Sequence, residues 1–203
     1  MAYNKTEKVL EKQALRRKRI IKAAKEILLE KEEIGKVSVR SIAKRAGIAT
    51  GTFYLYFADK ESLLDMIVKE IYEELLDKIK EARSTYTNNF DKLQASMEVC
   101  IRLFLKEKYL AKILLEQFPQ LNSTLNTKYA DIEADLIRLT KIDLDELIEE
   151  GAIPQQDTQV TATAFVGTFR QVILSWVGKG EPEDLELAYQ TLMEYNMRGI
   201  GRK

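Results

Sequence analysis

The side chains whose types and spacing suggest chemistry lie between Ser38 and Lys60, in the run SVRSIAKRAGIATGTFYLYFADK. Thr50 and Tyr54 stand four residues apart, as do Thr52 and Tyr56, so each pair would share one face of a helix. Hydroxyls both donate and accept hydrogen bonds. Beside Gly51, which lets a backbone approach closely, they suit phosphate oxygens and base edges rather than bond breaking. Ala49, Phe53 and Phe57, spaced by four, form the stripe expected to be buried. Tyr54 and Tyr56 then have two readings, as more aromatic core or as contacts to a nucleic acid.

Other chemistries are poorly served. The chain contains no histidine, which removes Ser-His-Asp and Cys-His catalysis, His-ligated metals and imidazole pH switching. The nearest thing to a phosphate loop, Gly178 to Gly180, lacks the strand and the spacing. Adjacent acids such as Glu149 and Glu150 lie in charged helical runs and read as solvated surface. The expectation is a protein that is not an enzyme and uses no cofactor and no metal. The one cysteine, Cys100, sits among Val99, Ile101 and Leu103 as a small hydrophobe. It cannot form an internal disulfide, which suits a reducing cytoplasm. No stretch approaches 18 uninterrupted apolar residues, and MAYNKTEK lacks the apolar core of a signal peptide. A cytoplasmic location without membrane contact is expected.

The elements that must position those hydroxyls follow from local rules. Ser38 is an N-cap, and Val39, Ile42, Ala43 and Ala46 then form one apolar stripe. Gly47 ends that helix because it takes a left-handed conformation without a Cβ penalty. The next helix, from Ala49 to about Phe57, is too short to stand alone. Asp59 caps a further helix that starts at Lys60. Upstream, Ile20, Ala23, Ala24, Ile27 and Leu28 give an amphipathic first helix to about Glu32, needed because two short helices bury little surface between themselves. Before it, Arg16, Arg17, Lys18 and Arg19 are either phosphate contacts or a solubilising helix start.

Charge is divided along the chain. Residues 1 to 60 carry 15 Lys and Arg against 7 Asp and Glu, or +8, and the remainder carries 17 against 25, or −8. A basic head on an acidic body favours binding a polyanion by one end.

Residues 16 to 66 resemble the DNA-binding domain of the tetracycline-repressor (TetR) family of bacterial transcriptional regulators, in VRSIAKRAGIATGTFYLYFADKESLL following IIKAAKEILLEK. The resemblance implies a helix-turn-helix in which Ala43 lets the helices cross closely, Gly47 makes the turn and Phe53 anchors the recognition helix. It places Thr50, Gly51, Thr52, Tyr54, Leu55 and Tyr56 on the operator, with Lys60 as a phosphate contact and Val39 and Arg40 as lesser candidates. Two positions depart from the family pattern. Glu33 stands where a glycine usually ends the first helix, and Ala49 replaces a frequent serine.

After Lys60 the pattern is long helices between polar breaks, an all-α class with about nine helices. A three-helix DNA-binding head over 1–60 precedes a larger ligand-binding and dimerisation domain over 61–203. Leu63, Leu64, Ile67, Ile71, Leu75 and Ile79 mark the fourth helix, to about Ser84. Further helices are expected over Phe90 to Lys106, Tyr109 to Phe118, Ser123 or Thr124 to Glu150, Thr158 to Gly178, and from Glu183 onward. The resemblance implies that the last two pair with their copies in a homodimer. Two recognition helices would then meet the half-sites of a pseudo-palindromic double-stranded DNA operator, ~34 Å or slightly more apart. It also implies an effector pocket, with Met97, Ile101, Phe104, Phe118, Tyr129, Phe165, Phe169 and Trp176 as candidates whose other reading is plain core. Arg102 and Arg170, each in an otherwise apolar helix, would meet either an anionic ligand or an acid of the neighbouring subunit. The implied function is a ligand-responsive, sequence-specific repressor released by a small, largely apolar effector.

Overall fold

The computed structural model describes residues 3–31, 33–117 and 126–202. Among them nine α-helices are found and no strand. The helices gather into two compact units, Met1–Ile71 and Tyr72–Lys203.

In the first unit, α1 (Tyr3–Lys31) buries Ile20, Ala23, Ala24, Ile27 and Leu28. A 3-10 turn (Ile34–Lys36) follows, with Ile34 and Val37 buried. It begins at Glu33, the position that departs from the family pattern. Helix α2 (Val39–Ala46) starts in a reciprocal cap, in which the Ser38 hydroxyl accepts from the Ser41 amide and the Ser41 hydroxyl accepts from the Ser38 amide, both at 3.1 Å. It ends at Gly47, with φ 67°. The Ile48 amide reaches back to the Ala43 carbonyl at 3.0 Å and the Gly47 amide to Lys44 at 3.3 Å, closing the last turn. On the surface, Arg45 ties α2 to α1 through two hydrogen bonds to Glu30, at 2.8 and 2.7 Å.

Helix α3 is shorter than its sequence suggests, running only from Thr50 to Phe53. Beyond it Tyr54 to Tyr56 form a turn held by i→i−3 bonds, Leu55 to Thr52 at 3.2 Å and Tyr56 to Phe53 at 2.9 Å. Tertiary anchoring explains this. Phe53 and Phe57 are both buried, and each contributes on the order of 1.5–3 kcal/mol. Ala49, expected in the buried stripe, is instead the exposed N-cap, with extended backbone (φ −69°, ψ 147°). Helix α4 (Lys60–Ser84) begins under an Asp59 cap that accepts from the Ser62 amide at 2.6 Å and the Ser62 hydroxyl at 2.5 Å. Its first turns bury Leu63, Leu64, Ile67 and Val68 in the head, and Glu70 pairs with Lys25 of α1 at 3.1 Å. The division between units therefore falls inside α4, beyond residue 60.

The second unit takes the rest of α4 with α5 (Asn89–Lys106), capped by Asn88, and α6 (Lys108–Ala111), which passes into a π-helical segment, Lys112–Gln117. Helix α7 (Asn126–Glu149) precedes Gly151, α8 (Thr158–Lys179) is capped by Asp157, and α9 (Leu185–Gly199) by Asp184. The expected helix starts at Ser123 or Thr124 lie outside the described residues. Helix α7 packs on α5 and α8, and α9 packs on α5 and α8. The core joins Leu93, Met97, Ile101 and Phe104 to Leu144, Leu147, Phe165, Phe169 and Met193. By length and composition α8 is apolar enough to cross a membrane, with a mean hydropathy of 1.2 over 18 residues. Its Phe165, Phe169, Ile173 and Trp176 are nonetheless buried in this body.

Candidate nucleic-acid interface

The Ser38 cap and the Gly47 turn hold α3 against α2 and leave one side of the helix pair uncovered. Thr50, Gly51 and Arg40 are exposed there, and Val39, Thr52 and Tyr56 are half-buried. Tyr54 is 55% exposed and Leu55 81%. The Phe53 ring, fully buried, meets the Tyr54 ring edge-on at 5.5 Å. One ring therefore anchors the segment while the next is directed to solvent, so Tyr54 is not core. Lys60 opens α4 with its side chain only 21% exposed and its Nζ 3.8 Å from Glu61. Arg17 of α1 lies across the Phe57 ring at 5.3 Å. This arrangement offers hydroxyls, a backbone accessible at Gly51 and a surrounding excess of cations, which is chemistry for holding a polyanion.

In the body, Met97, Ile101 and Phe104 of α5 and Phe165, Phe169 and Trp176 of α8 are all buried. Phe165 and Phe169 stack at 5.7 Å, Phe169 meets Tyr189 at 6.1 Å, and the Lys108 ammonium lies 4.4 Å over the Trp176 ring. Phe118 and the Tyr129 side chain lie outside the described residues. An open groove of about 690 Å³ runs between α8 and α9, lined by Val160, Ala164, Phe165, Tyr195 and Gly199 among others. Of the six buried candidates only Phe165 reaches it.

Arg102 and Arg170 each have an acid of their own chain within reach. Arg102 is exposed and paired with Glu98 one turn earlier, Nη2 to Oε1 at 2.6 Å. Arg170 meets Glu133 of α7 at 3.3 Å. Both find acids within their own chain, Arg102 because an acid four residues away is a ready local partner. Glu133 and Arg170 also act on Tyr72, whose phenol burial pushes up to about 12. The sequence reading missed a buried pair, Arg83 and Asp143, which lies between α4 and α7 with the α5 hydroxyl of Ser96.

Residues 20–67 match the profile of bacterial regulatory proteins of the tetR family. The fatty acid metabolism regulator protein of Bacillus subtilis is 28% identical over 185 residues, 91% of this chain and 95% of that one. The fatty acid degradation regulator FadR of Bacillus halodurans has the same fold, with a TM-score of 0.78 and 27% identity over 93% of this chain and 97% of its own. FadR of Bacillus subtilis, solved in complex with stearoyl-CoA, also gives 0.78 and 27%, over 90% and 98%. Residues 20–67 are thus a DNA-binding region of the tetR type. Like these relatives, the protein is a transcriptional regulator, and it acts by binding DNA. Its matched region ends within α4 and spans the capped helix pair and the Tyr54 turn.

Proposed function

We propose that this regulator is a cytoplasmic homodimeric repressor that reads a pseudo-palindromic operator and is released by a long-chain acyl thioester. The observation that carries the DNA reading is the pair of neighbouring rings, Phe53 buried and Tyr54 exposed. Support comes from the exposure of Tyr54 and Leu55 next to Thr50, Gly51, Thr52 and Tyr56, none of which is buried. Val39 and Arg40 flank this segment from α2, and Lys60 contributes charge from α4.

Two observations support the dimer. Only 33% of the most apolar window of α8 is buried within the chain. Val160 of α8 and Tyr195 of α9 are 63% and 67% exposed beside the groove. A second copy packed on these helices would cover that apolar surface.

The effector class rests on relatives that align over nine-tenths of both chains, one of them solved with stearoyl-CoA. An aliphatic chain suits the cluster of Met97, Ile101, Phe104, Phe165, Phe169 and Trp176. These side chains are all buried, so the ligand must select a form in which they open. The π-helical segment after α6 is the natural place for such a change, since π turns recur at functional sites. The effector then lowers affinity for DNA by favouring a different spacing of the two heads. The test is a mobility-shift assay on a duplex selected from a random pool, with random DNA as competitor. Stearoyl-CoA should release the complex while coenzyme A alone does not. Binding that random DNA competes away equally would mark a DNA-organising protein instead. A complex indifferent to the thioester would remove the proposed effector.

A further inference from the structure

We infer that the N-terminal half of α1 is a second DNA-contacting element, in which Lys8, Lys12, Arg16 and Arg19 lie along phosphates flanking each operator half-site. The inference rests on the DNA reading proposed above and extends it to residues outside the matched family region, which begins at residue 20.

Helix α1 is 29 residues long, but from Lys8 onward its first buried residue is Ile20. Every residue from Lys8 to Arg19 is exposed. That stretch holds six cations (Lys8, Lys12, Arg16, Arg17, Lys18 and Arg19) against one acid, Glu11, a net +5. Such a helix buries nothing within its own unit, so core packing does not account for it.

The cations are not spread evenly. Lys8, Lys12, Arg16 and Arg19 follow one another by four, four and three residues, which keeps them within about 80° of arc. At ~1.5 Å per residue the stripe is roughly 17 Å long, about the axial rise of five base pairs at ~3.4 Å each. None of the four, nor Lys18, has an acidic partner among the described residues. Lys22 and Lys25, further along the same helix, are paired with Glu26 and Glu70. Arg17, off the stripe, is engaged by the head through the Phe57 ring and the Met66 sulfur. That contact fixes where the extension leaves the unit, at the ring that closes the Tyr54–Tyr56 turn and three residues before Lys60. The extension thus leaves the head beside the segment proposed to read DNA, with the stripe on a different face of α1 from Arg17.

A membrane surface is the less suitable occupant. Val9, Leu10 and Leu15 are exposed on this half. At ~100° per residue they point in well-separated directions and make no single apolar face to sink into lipid. A row of cations without an apolar face fits a phosphate backbone.

The test uses the full chain and one quadruple variant, Lys8→Gln, Lys12→Gln, Arg16→Gln and Arg19→Gln, since glutamine keeps helix propensity without charge. The probe is a 40-base-pair duplex selected from a random pool by the unaltered protein. The salt slope of binding should fall by about 0.9 for each cation that meets a phosphate, up to roughly 3.6 per helix engaged. Hydroxyl-radical protection should be lost at flanking phosphates and kept at the half-site centre. An unchanged slope and footprint, with helical content preserved, would overturn the inference while leaving the regulator reading intact. Failure of the selection to yield any preferred duplex would sink both. Charge-dependent sedimentation with phosphatidylglycerol vesicles, alongside an unchanged DNA footprint, would assign the stripe to a membrane and likewise overturn it.

Discussion

Arg83, in the last turn of α4, holds Asp143 of α7 by two parallel hydrogen bonds, Nη1 to Oδ2 at 2.8 Å and Nη2 to Oδ1 at 2.6 Å. Nη1 also reaches the Ser96 hydroxyl of α5 at 2.9 Å. Asp143 is fully buried and the Arg83 side chain only 12% exposed. Burial pushes the Asp143 carboxyl up, and the hydrogen bonds and charge of Arg83 only partly offset it. Removing one partner strands a charge in a dry site, whereas removing both does not. Asp143→Ala should cost about 3–5 kcal/mol in denaturant unfolding. The double variant Arg83→Met with Asp143→Leu should cost less than Asp143→Ala alone. Equal costs would mean that the pair is wetter than its burial indicates.

The cap of α4 carries a pH signature. The Ser62 hydroxyl, and then its amide, hold the Asp59 carboxyl below the usual carboxylate range. A depressed folded pKa contributes stability that is complete above the unfolded value, near ~3.9, and is lost as pH falls through the folded value. Asp59→Ala should therefore lose about 1 kcal/mol at neutral pH. The gap between it and the unaltered protein should close on acidification below that range. Thermal unfolding of both proteins over a series from pH 7 into the acid range follows the closing gap.

The reading side is tested by separating contact from fold. Tyr54→Ala removes a ring that is more than half exposed, so the helical spectrum should persist while binding to the selected duplex is abolished. Loss of the fold instead would make Tyr54 a core residue. Lys60→Ala should weaken binding to all DNA and lower the salt slope by about one unit. An unchanged slope would leave the Lys60 ammonium to its neighbour Glu61.

What was legible in the sequence is what local chemistry decides. Ser38, Gly47 and Asp59 each stop or start a helix through atoms within a few residues, and all three do so here. The length of α3 was not legible, because its end is set by where Phe53 and Phe57 reach the core of the head. Arg83 and Asp143 stand 60 residues apart, and nothing near either announces the other. The Arg102 partner, Glu98, was in view at four residues' distance. The aromatic and aliphatic residues of α5 and α8 look the same in sequence whether they close a core or open around a ligand, so their types predict burial and leave the pocket undetermined.

Cys100 should behave as an inert core residue. It is buried on α5, and burial pushes its thiol up to about 12, far from the range in which thiolate forms at neutral pH. A disulfide reagent at pH 8 should leave the folded protein unmodified and label one thiol per chain after denaturation. Rapid labelling of the native protein would show that α5 opens on the time scale of the reagent.

The exposed side of α8 and α9 gives the last test. Val160 and Tyr195 border the same groove, and both are large, apolar and accessible in the single chain. If a second copy covers them, a carboxylate at each site would be buried against its symmetry mate, where like charges and desolvation both oppose association. Val160→Asp with Tyr195→Asp should therefore shift sedimentation from dimer to monomer. Because both residues are exposed, helical content should not change. DNA binding should weaken as well, since a monomer presents one recognition segment and forfeits the joint binding of two half-sites. A double variant that stays dimeric would move the interface to another face and leave the groove without its proposed occupant.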